Sequence, residues 1–375
     1  MNNPQKIALV HMHSNGDCLY ATAIARQIKQ DYPGCHLTWV IASMSKTIID
    51  NNPFIDAVIE IPDVNRFNNT SIYKKLKKEM LLKKQNGVYD EVFFTQLIDD
   101  KLANYDGSVR SGILRNYGKP ITVSLTPVLR LRQEEIEKVS LFAEKYRLST
   151  FKNIILFEFA PQSGQLAITT EIALDIANQL IQNEDTAIIL SSNIKIGDAN
   201  PKIIDGSALT LRETAALTHY CTLLLGCSSG ISWISTSDAA KQLPMVQLLD
   251  PNAYWVNPIS RDFERFGFLT DNLIEIYDNI PVKVTQCIKE IFSNGFPEAR
   301  KKFYTPLPIQ FKTTSRTIYN MLCFLQFKAI ATHIKVNISV YGFHPLLIKE
   351  IVAGFITAPF KLIGNTVKKH ILKKK

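Results

Sequence analysis

The sequence predicts an α/β fold with two successive Rossmann-like halves and a basic helical tail. Apolar segments of strand length alternate with amphipathic helical segments from the first residues onward, an order typical of βαβ units. The alternation starts again near Asn153. At 375 residues the chain is also longer than a single core normally supports. These three observations together predict two parallel sheets.

The first half is predicted over residues 1–150. Its predicted order is strand, helix, strand and a segment that ends in a further apolar run. A lysine-rich helix, another strand and a long polar helix follow. The segments are KIALVHM (6–12), CLYATAIARQIKQDY (18–32), HLTWVIA (36–42), SKTIIDNNPFIDAVIEIP (45–62), IYKKLKKEMLLKK (72–84), EVFFTQL (91–97) and RLRQEEIEKVSLFAEKYRL (130–148).

The second half is predicted over residues 151–311, where strands and helices alternate again. Thr169 or Thr170 is placed to cap its first helix. The segments are NIILFEFA (153–160), TTEIALDIANQLIQN (169–183), TAIILSS (186–192), TLRETAALTHYC (210–221), TLLLGC (222–227), GISWISTSDAAKQ (230–242) and PMVQLLD (244–250).

The net charge of +9 is concentrated in a tail, residues 312–375, which holds eleven basic residues and one acidic residue. The rest of the chain is close to neutral, which argues against a nucleic-acid-binding body. The six cysteines include no CxxC pair and no zinc-ligand spacing, so we expect free thiols in a reducing compartment. A short apolar start without a basic leader fits a first strand. The sequence thus predicts a cytoplasmic protein.

The tail contains a strongly apolar stretch, HPLLIKEIVAGFITAPFKLIG, that is interrupted by Lys349, Glu350, Pro359 and Lys361. A spanning helix needs roughly 20 nearly uncharged residues, so a transmembrane segment is not expected. Apolar residues flanked by lysines predict a helix lying in the membrane interface. The alternative is a C-terminal helix packed on the body with a solvated basic end. The lysine-rich helix 72–84 has the same two interpretations: a face that meets anionic lipid or a phosphorylated acceptor, or a solvated surface.

A strand ends in small polar residues at CSSGIS (227–232). Backbone amides and serine hydroxyls at a strand-to-helix turn can bind an anion, and the carboxyl ends of parallel strands are where open α/β sheets bind ligands. Ser228, Ser229 and Gly230 are therefore predicted to bind a diphosphate. The alternative is an ordinary helix start, in which a serine only caps the first amides.

A second such junction, HMHSNGDC (11–18), brings together five polar or small residues: His11, His13, Asn15, Gly16 and Asp17. Its single glycine does not satisfy the dinucleotide fingerprint, which needs three. It offers no second ligand cluster for a metal. A carboxylate at a helix start can be only a cap, but facing an interdomain cleft it can also take a proton from an acceptor hydroxyl. Asp17 is therefore either a helix cap or, if it faces such a cleft, a candidate general base.

The stretch GDCLYATAIARQIKQDYPGCHLTWVIASMSKTIIDNNPFIDAVIEI resembles the amino-terminal signature of family 9, heptosyltransferase-like glycosyltransferases. LTLRETAALTHYCTLLLGCSSGISWISTSDAAKQLPMVQLL resembles the second signature of that family. The resemblance implies a GT-B architecture, with the acceptor on the first half and the nucleotide-sugar on the second. It also implies that Asp17 is the catalytic base and that Ser228 to Gly230 form the turn of the donor site.

The chain departs from the family pattern at several places. Ser228 and Trp233 stand where the family usually has Asp and His, and His11 stands where it has an early Lys. The loop after the first strand of the second half also lacks the usual phosphate-binding Lys. Its Ser163 and Gly164 are still expected at the diphosphate. Basic residues from elsewhere are candidate charge partners: Arg212, Arg261 and Arg265.

The resemblance therefore implies an enzyme, a glycosyltransferase that moves a sugar from a nucleotide-sugar to a hydroxyl of a lipopolysaccharide or capsule precursor. The absence of an Asp-x-Asp pair fits an inverting reaction without metal, and no cofactor is expected beyond the nucleotide-sugar co-substrate. The expected location is the inner face of the membrane, reached from the cytoplasm through the basic tail. Two alternatives stay open: a non-catalytic nucleotide-sugar-binding or scaffold protein, and a nucleotide-sugar-modifying enzyme such as an epimerase.

Overall fold

The computed structural model describes residues 4–159, 166, 168–182, 185–197, 200–252, 258–278 and 280–356. Within them the chain forms two separate parallel sheets surrounded by helices, which confirms the predicted α/β class. No helix in these ranges is both long enough and apolar enough to cross a membrane.

The first half contains a four-stranded parallel sheet in the order β3-β2-β1-β4. Strands β1 and β2 are apolar almost throughout and buried on both faces, whereas the edge strand β3 is only partly buried. In the register of the central pair, Leu9 lies opposite Trp39. The elements are β1 (Lys6–Val10), α1 (Asn15–Asp31), β2 (His36–Ala42), β3 (Ala57–Ile61), α2 (Asn69–Gln85), β4 (Glu91–Phe94), α3 (Val109–Asn116) and α4 (Gln133–Lys145).

The second half contains a six-stranded parallel sheet in the order β10-β9-β8-β5-β6-β7. The side chain of Thr169 accepts the amide of Ile172, so it is Thr169 that caps α5, as the sequence suggests. The elements are β5 (Asn153–Glu158), α5 (Thr170–Leu180), β6 (Thr186–Ser191), β7 (Ile203–Asp205), α6 (Leu211–Leu217), β8 (Leu223–Gly226), α7 (Gly230–Ile234), β9 (Met245–Leu248), α8 (Ile259–Phe266), β10 (Leu273–Ile276), α9 (Ile280–Asn294) and α10 (Phe296–Phe303).

Helix α7 is much shorter than the predicted segment 230–242. The hydroxyl of Ser235 donates to the carbonyl of Ser232 at 2.6 Å, and that of Thr236 donates to Trp233 at 2.7 Å. Such local bonds compete with continuation of the helix. The amide of Asp238 then bonds to Pro127, far away in the chain, at 3.0 Å. The helix therefore ends where the Ser235 and Thr236 hydroxyls and the carbonyl of Pro127 compete with the regular backbone hydrogen bonds.

Helix α4 precedes the predicted boundary near residue 150 but packs into the core of the second half. Its Val139 and Phe142 lie in one cluster with Leu217 and Leu224. The boundary itself stays a prediction. This packing shows that α4, which leads from the first half to the second, lies against the core of the second half.

Three C-terminal helices follow: α11 (Lys312–Cys323), α12 (Phe327–Tyr341) and α13, which spans residues 345–356. They form one core with Ala103 of the first half, built from Phe311, Ile318, Met321, Ile330, Leu347 and Ile351. The side-chain amide of Asn337 donates to the carbonyl of Tyr105 at 3.2 Å. The chain thus returns from the second half to the first. Residues 357–375 of the predicted tail lie outside the described residues.

Candidate functional site

The two small-residue junctions meet in the structure. A Cβ atom added to Gly16, at the start of α1, would lie 3.9 Å from the Cα atom of Gly230, at the start of α7. The carboxyl-terminal edge of β1 and that of β8 therefore face each other across this contact. Parallel sheets bind ligands at such edges, so the candidate site lies where the two halves touch.

Asp17 lies in the first turn of α1 and is partly exposed. Burial among its neighbours raises the pKa of its carboxyl to about 6, although the nearby charge of Arg110 and a hydrogen bond from the amide of Ser14 both lower it. A carboxylate with this pKa is ionised for the most part at neutral pH and is more basic than an ordinary aspartate. The group is suited to accept a proton.

Arg110 occupies the centre of a buried cluster beside Asp17. Its guanidinium carbon lies 3.0 Å from the ring centroid of Trp233 and 4.5 Å from that of Tyr20. The two rings contact each other edge to face, with centroids 4.9 Å apart. The guanidinium also donates to the carboxylate of Asp262 on α8, a fully buried group. This cluster joins α1, α3, α7 and α8, and one side of the site is built from it.

His11 is not at the surface of the first junction. It is fully buried, its Nδ1 lies 2.9 Å from the hydroxyl of Thr95, and its carbonyl accepts the indole of Trp39 at 2.9 Å. Burial, together with the neighbouring His13, lowers its pKa to about 3, so the ring is neutral. His11 follows β1, in the loop where it was predicted, but its side chain is enclosed because Trp39 and Val40 of β2 and Thr95 after β4 surround it.

His13 and Asn15 lie at the candidate site together with Gly16, and both are partly exposed. The His13 Nε2 and Asn15 Oδ1 atoms are themselves buried, and neither has a hydrogen-bond partner within the described ranges. Gln96, after β4, holds this turn: its side-chain carbonyl accepts the amides of Met12 and His13 at 2.9 and 3.0 Å. The junction thus presents two polar atoms, His13 Nε2 and Asn15 Oδ1, that have no partner among the described residues, on a backbone that Gln96 holds in place.

At the second junction, side chains of the protein already take up several of the amides assigned to a diphosphate. The amide of Ser228 donates to the side-chain carbonyl of Gln247 at 2.8 Å. The Glu158 carboxylate accepts the amide of Cys227 at 3.5 Å and the hydroxyl of Ser232 at 3.2 Å. Burial raises the pKa of Glu158 to about 7, although these bonds and the amide of Ser229 lower it. A buried acid thus lies behind the turn.

The alternative interpretation of this junction, a serine that caps the helix, is not what the structure shows. Ser229 is in the capping position of α7, but its side chain makes no capping hydrogen bond. Ser228 has a φ of 55°, a left-handed conformation that is uncommon outside glycine. Hydrogen bonds from the backbone amides of this turn to Gln247 and Glu158 hold its conformation.

The three candidate arginines differ in their partners. Arg212 is buried, pairs with Glu135 at 2.7 and 2.8 Å, and donates to backbone carbonyls. Arg265 pairs with Asp106 at 2.9 Å. Arg261 is partly exposed and forms no ion pair with any residue in the described ranges. Ser163 and Gly164, the other candidate diphosphate ligands, lie outside those ranges.

Sequence reasoning missed Arg110, Asp262, Glu158 and Gln247. The ion pair between Arg110 and Asp262 joins positions 152 residues apart, and no local pattern indicates it. Glu158 did carry a signal, because it is a single acid at the end of the apolar strand NIILFE. Such an acid is buried only when amides or hydroxyls surround it.

The sequence matched no protein-family model and no curated protein. Solved structures do share the fold. A family 9 glycosyl transferase from Veillonella parvula DSM 2008 superposes with a TM-score of 0.53 at 16% identity, covering 78% of this chain and 91% of that one. The E. coli ADP-heptose lipopolysaccharide heptosyltransferase II superposes with a TM-score of 0.51 at 14% identity, covering 76% and 98%.

A Listeria monocytogenes protein provisionally assigned as a UDP-N-acetylglucosamine 2-epimerase has the same fold, with a TM-score of 0.51 at 11% identity, covering 86% of this chain and 97% of that one. At these identities the likeness concerns the fold, and it confirms the predicted GT-B class. The fold does not distinguish sugar transfer from epimerisation, because proteins assigned to both share it.

Proposed function

We propose that this protein is a glycosyltransferase that moves a sugar from a nucleotide-sugar to a hydroxyl group of an acceptor. The single observation that carries the proposal is Asp17, a partly exposed carboxylate whose pKa is raised to about 6, placed where the turns of the two halves touch. The resemblance of both junction sequences to family 9 signatures supports the same assignment.

In this mechanism Asp17 takes the proton of the acceptor hydroxyl while the oxygen attacks the anomeric carbon of the donor. The bond from that carbon to the diphosphate breaks on the opposite side, so the configuration is inverted. A general base works best when its pKa lies near the working pH, and positioned bases contribute about 100- to 10,000-fold to a rate. The raised pKa of Asp17 meets this condition.

The leaving diphosphate is proposed to lie against the second junction, at Ser228, Ser229 and Gly230. Backbone amides, hydroxyls and the guanidinium of Arg261, which has no ion pair within the described ranges, would stabilise its charge in place of a divalent metal. The remaining loop ligands would be Ser163 and Gly164. No cofactor takes part in this mechanism.

The acceptor is proposed to be a precursor of a surface glycan, of the lipopolysaccharide or capsule type. This step is supported by the fold shared with the E. coli enzyme named as a lipopolysaccharide heptosyltransferase and by the resemblance of the first junction to the amino-terminal family signature. The protein would act in the cytoplasm at the inner face of the membrane, where such precursors are assembled on lipid.

A second candidate function is that of a non-catalytic nucleotide-sugar-binding or scaffold protein. One observation favours it: Glu158 and Gln247 already occupy amides at the turn where a donor diphosphate is expected. In addition, Trp233 replaces the usual His and is packed against Arg110. The retained Gly16 and Asp17 favour the catalytic alternative.

The two candidates are separated by measuring binding and turnover on the same purified protein. Calorimetric titration with a panel of nucleotide-sugars and free nucleoside diphosphates would identify the donor, with Ser229→Glu as the variant that places a negative charge at the proposed diphosphate position. Release of the nucleoside diphosphate in the presence of glycolipid acceptors would then report transfer. Binding to one donor that Ser229→Glu abolishes, together with turnover, supports the enzyme. Binding without turnover over the whole acceptor panel supports the scaffold, and no donor binding by the folded protein contradicts both.

A further inference from the structure

The C-terminal helices expose a group of large apolar side chains at the turn between α11 and α12. Phe324, Leu325 and Phe327 are 67%, 73% and 63% exposed. The turn thus exposes three large apolar groups within four chain positions, and a concentration of exposed apolar groups marks an interaction surface.

The outer face of α13 extends this patch. The hydroxyl of Ser315 donates to Glu350 at 2.6 Å, and a Cβ atom on Gly354 would lie 2.9 Å from the Cβ atom of Ile318. Both pairs run in the same direction along the two helices, so α13 lies parallel to α11 and its described residues run towards the α11–α12 turn. Its exposed apolar side chains are Leu346, Val352, Phe355 and Ile356.

A helix with one apolar side buried is expected to be polar on the other. Here Leu347 and Ile351 are buried against α11 and α12, yet the opposite side of α13 is also apolar, apart from Lys349. The outer side therefore lacks the polar cover that a water-facing helix normally has.

The lysine-rich helix α2 meets the same turn. The ammonium of Lys74 lies 5.3 Å from the ring centroid of Phe324 and 3.5 Å from Asp99, which also accepts a hydrogen bond from Gln326 of the turn, at 3.2 Å. Two further exposed lysines of α2, Lys75 and Lys78, form no ion pair with any residue that the structure describes. Lys328 is exposed on the other side of the turn.

We define the basic apolar face as the exposed apolar residues of this turn and of residues 352–356 of α13 together with the adjoining lysines. Its members are Phe324, Leu325, Phe327, Val352, Phe355, Ile356, Lys74, Lys75, Lys78 and Lys328. The chain continues from Ile356 into residues 357–375, which contain six lysines and no acid. Aromatic and aliphatic groups bordered by lysines complement the headgroup boundary of an anionic bilayer.

We propose that the basic apolar face docks on the surface of an anionic lipid bilayer. The apolar side chains enter the boundary between headgroups and acyl chains, and the lysines contact the headgroup phosphates. This docking goes beyond glycosyl transfer and does not depend on it, because no residue of the basic apolar face belongs to the candidate site.

The test is co-sedimentation of the full-length protein with vesicles of phosphatidylcholine alone and of phosphatidylcholine mixed equally with phosphatidylglycerol. We expect binding to the mixed vesicles at low salt, and weaker binding as salt is raised. Leu325→Glu should reduce the partition coefficient about tenfold or more, since it removes an exposed leucine that would enter the bilayer and adds a charge. The matched control is Leu141→Glu on α4, where the wild-type leucine is 65% exposed and outside the basic apolar face; its binding should be unchanged.

The lysines are tested separately with Lys75→Gln and Lys78→Gln, each expected to weaken binding by about fivefold at low salt, which corresponds to about 1 kcal/mol. Lys289→Gln, an exposed lysine of α9, is the control. Equal binding to neutral and anionic vesicles, or equal loss in the control variants, would overturn the proposal. A dimer seen by light scattering that Leu325→Glu dissociates, with no vesicle binding by the wild type, would assign this face to a second copy of the chain instead. Because no nucleotide is present, failure here leaves the transferase proposal intact.

Discussion

The guanidinium of Arg110 and the carboxylate of Asp262 form a buried ion pair that joins α3 of the first half to α8 of the second. The hydroxyl of Ser108 donates to the same carboxylate. Because both charges are shielded from water, removing one of them leaves the other without compensation. Loss of either side chain should therefore weaken the packing of the first half against the second.

We expect Arg110→Ala to lower the free energy of unfolding by about 3–5 kcal/mol, since the Asp262 carboxylate would remain buried and unpaired. Urea denaturation followed by tryptophan fluorescence would measure the change. The double variant Arg110→Ala/Asp262→Ala should lose less than the sum of the two single losses. Arg130→Ala serves as the control: its ion pair with Asp238, at 2.6 Å, is largely exposed and should contribute less than about 1 kcal/mol. Similar losses at both arginines would contradict this account.

Asp17→Asn should reduce turnover by about 100- to 10,000-fold without reducing donor affinity, because asparagine keeps the shape but cannot accept the proton. The wild-type rate should rise with pH and reach half its maximum near pH 6, as the carboxyl of pKa about 6 becomes ionised. Initial rates between pH 5 and 8 provide the measurement, with circular dichroism to verify folding. Full turnover in a folded Asp17→Asn variant would rule out the base role.

Glu158→Gln should change how stability depends on pH. Burial raises the pKa of Glu158 from its ordinary value of 4.5 to about 7, so ionisation is harder in the folded protein than in the unfolded one. Stability of the wild type should therefore fall as pH rises from about 4.5 through 7, by about 3 kcal/mol from this group. Glutamine does not titrate, so the variant should lack this decline. Thermal unfolding at pH 5 and pH 8 would reveal it, and an identical decline in both proteins would count against it.

The same substitution should strengthen binding of a nucleoside diphosphate at pH 8, by about tenfold or more, since a negative charge behind the turn is removed. Calorimetry with the donor identified from the panel measures this. The control is Glu275→Gln, another buried acid of the second half, which hydrogen-bonds to Ser260 away from the turn. Unchanged affinity in Glu158→Gln would place the diphosphate elsewhere.

Gly226→Ala and Gly16→Ala should behave differently although both lie at a junction. A Cβ atom on Gly226 would meet the Ser232 hydroxyl at 2.6 Å and the Gln247 amide at 3.1 Å, both buried, so we expect a loss of about 1–3 kcal/mol. A Cβ atom on Gly16 would lie 3.9 Å from the nearest neighbour, an ordinary contact, and alanine favours a helix. That variant should be as stable as the wild type. Chemical denaturation of both variants tests the difference.

The strands that were predicted correctly share one property: they are continuous apolar runs bounded by turn residues, as in HLTWVIA, which matches β2 (His36–Ala42) residue for residue. Parallel strands buried on both faces have to be apolar throughout, so their sequence is distinctive. β7 was missed because its three residues are too few for a periodic signal, and β10 was missed because the acid Glu275 interrupts its short apolar run LIEI.

The candidate site was predictable only in part. Asp17 and Gly16 were recognised because a small-residue loop between a strand and a helix is a local pattern. The environment that sets the pKa of Asp17 was not predictable. Burial raises this pKa and the charge of Arg110 lowers it, and both depend on a fold that also pairs Arg110 with Asp262 of the other half. His11 was expected to face the site from its loop. Its burial depends on the contact with Thr95, which is distant in sequence, so the local pattern did not indicate it.

The bond between Asn337 and Tyr105 joins residues 232 positions apart, and it belongs to the core through which the C-terminal helices cover the first half. During synthesis, the first sheet leaves the ribosome long before α11 to α13 exist. The surface around Ala103 therefore stays exposed to solvent until the second half has been translated. Interactions between residues so far apart in the sequence form late. A premature stop codon within α12 should consequently expose the half of the protein that was made first.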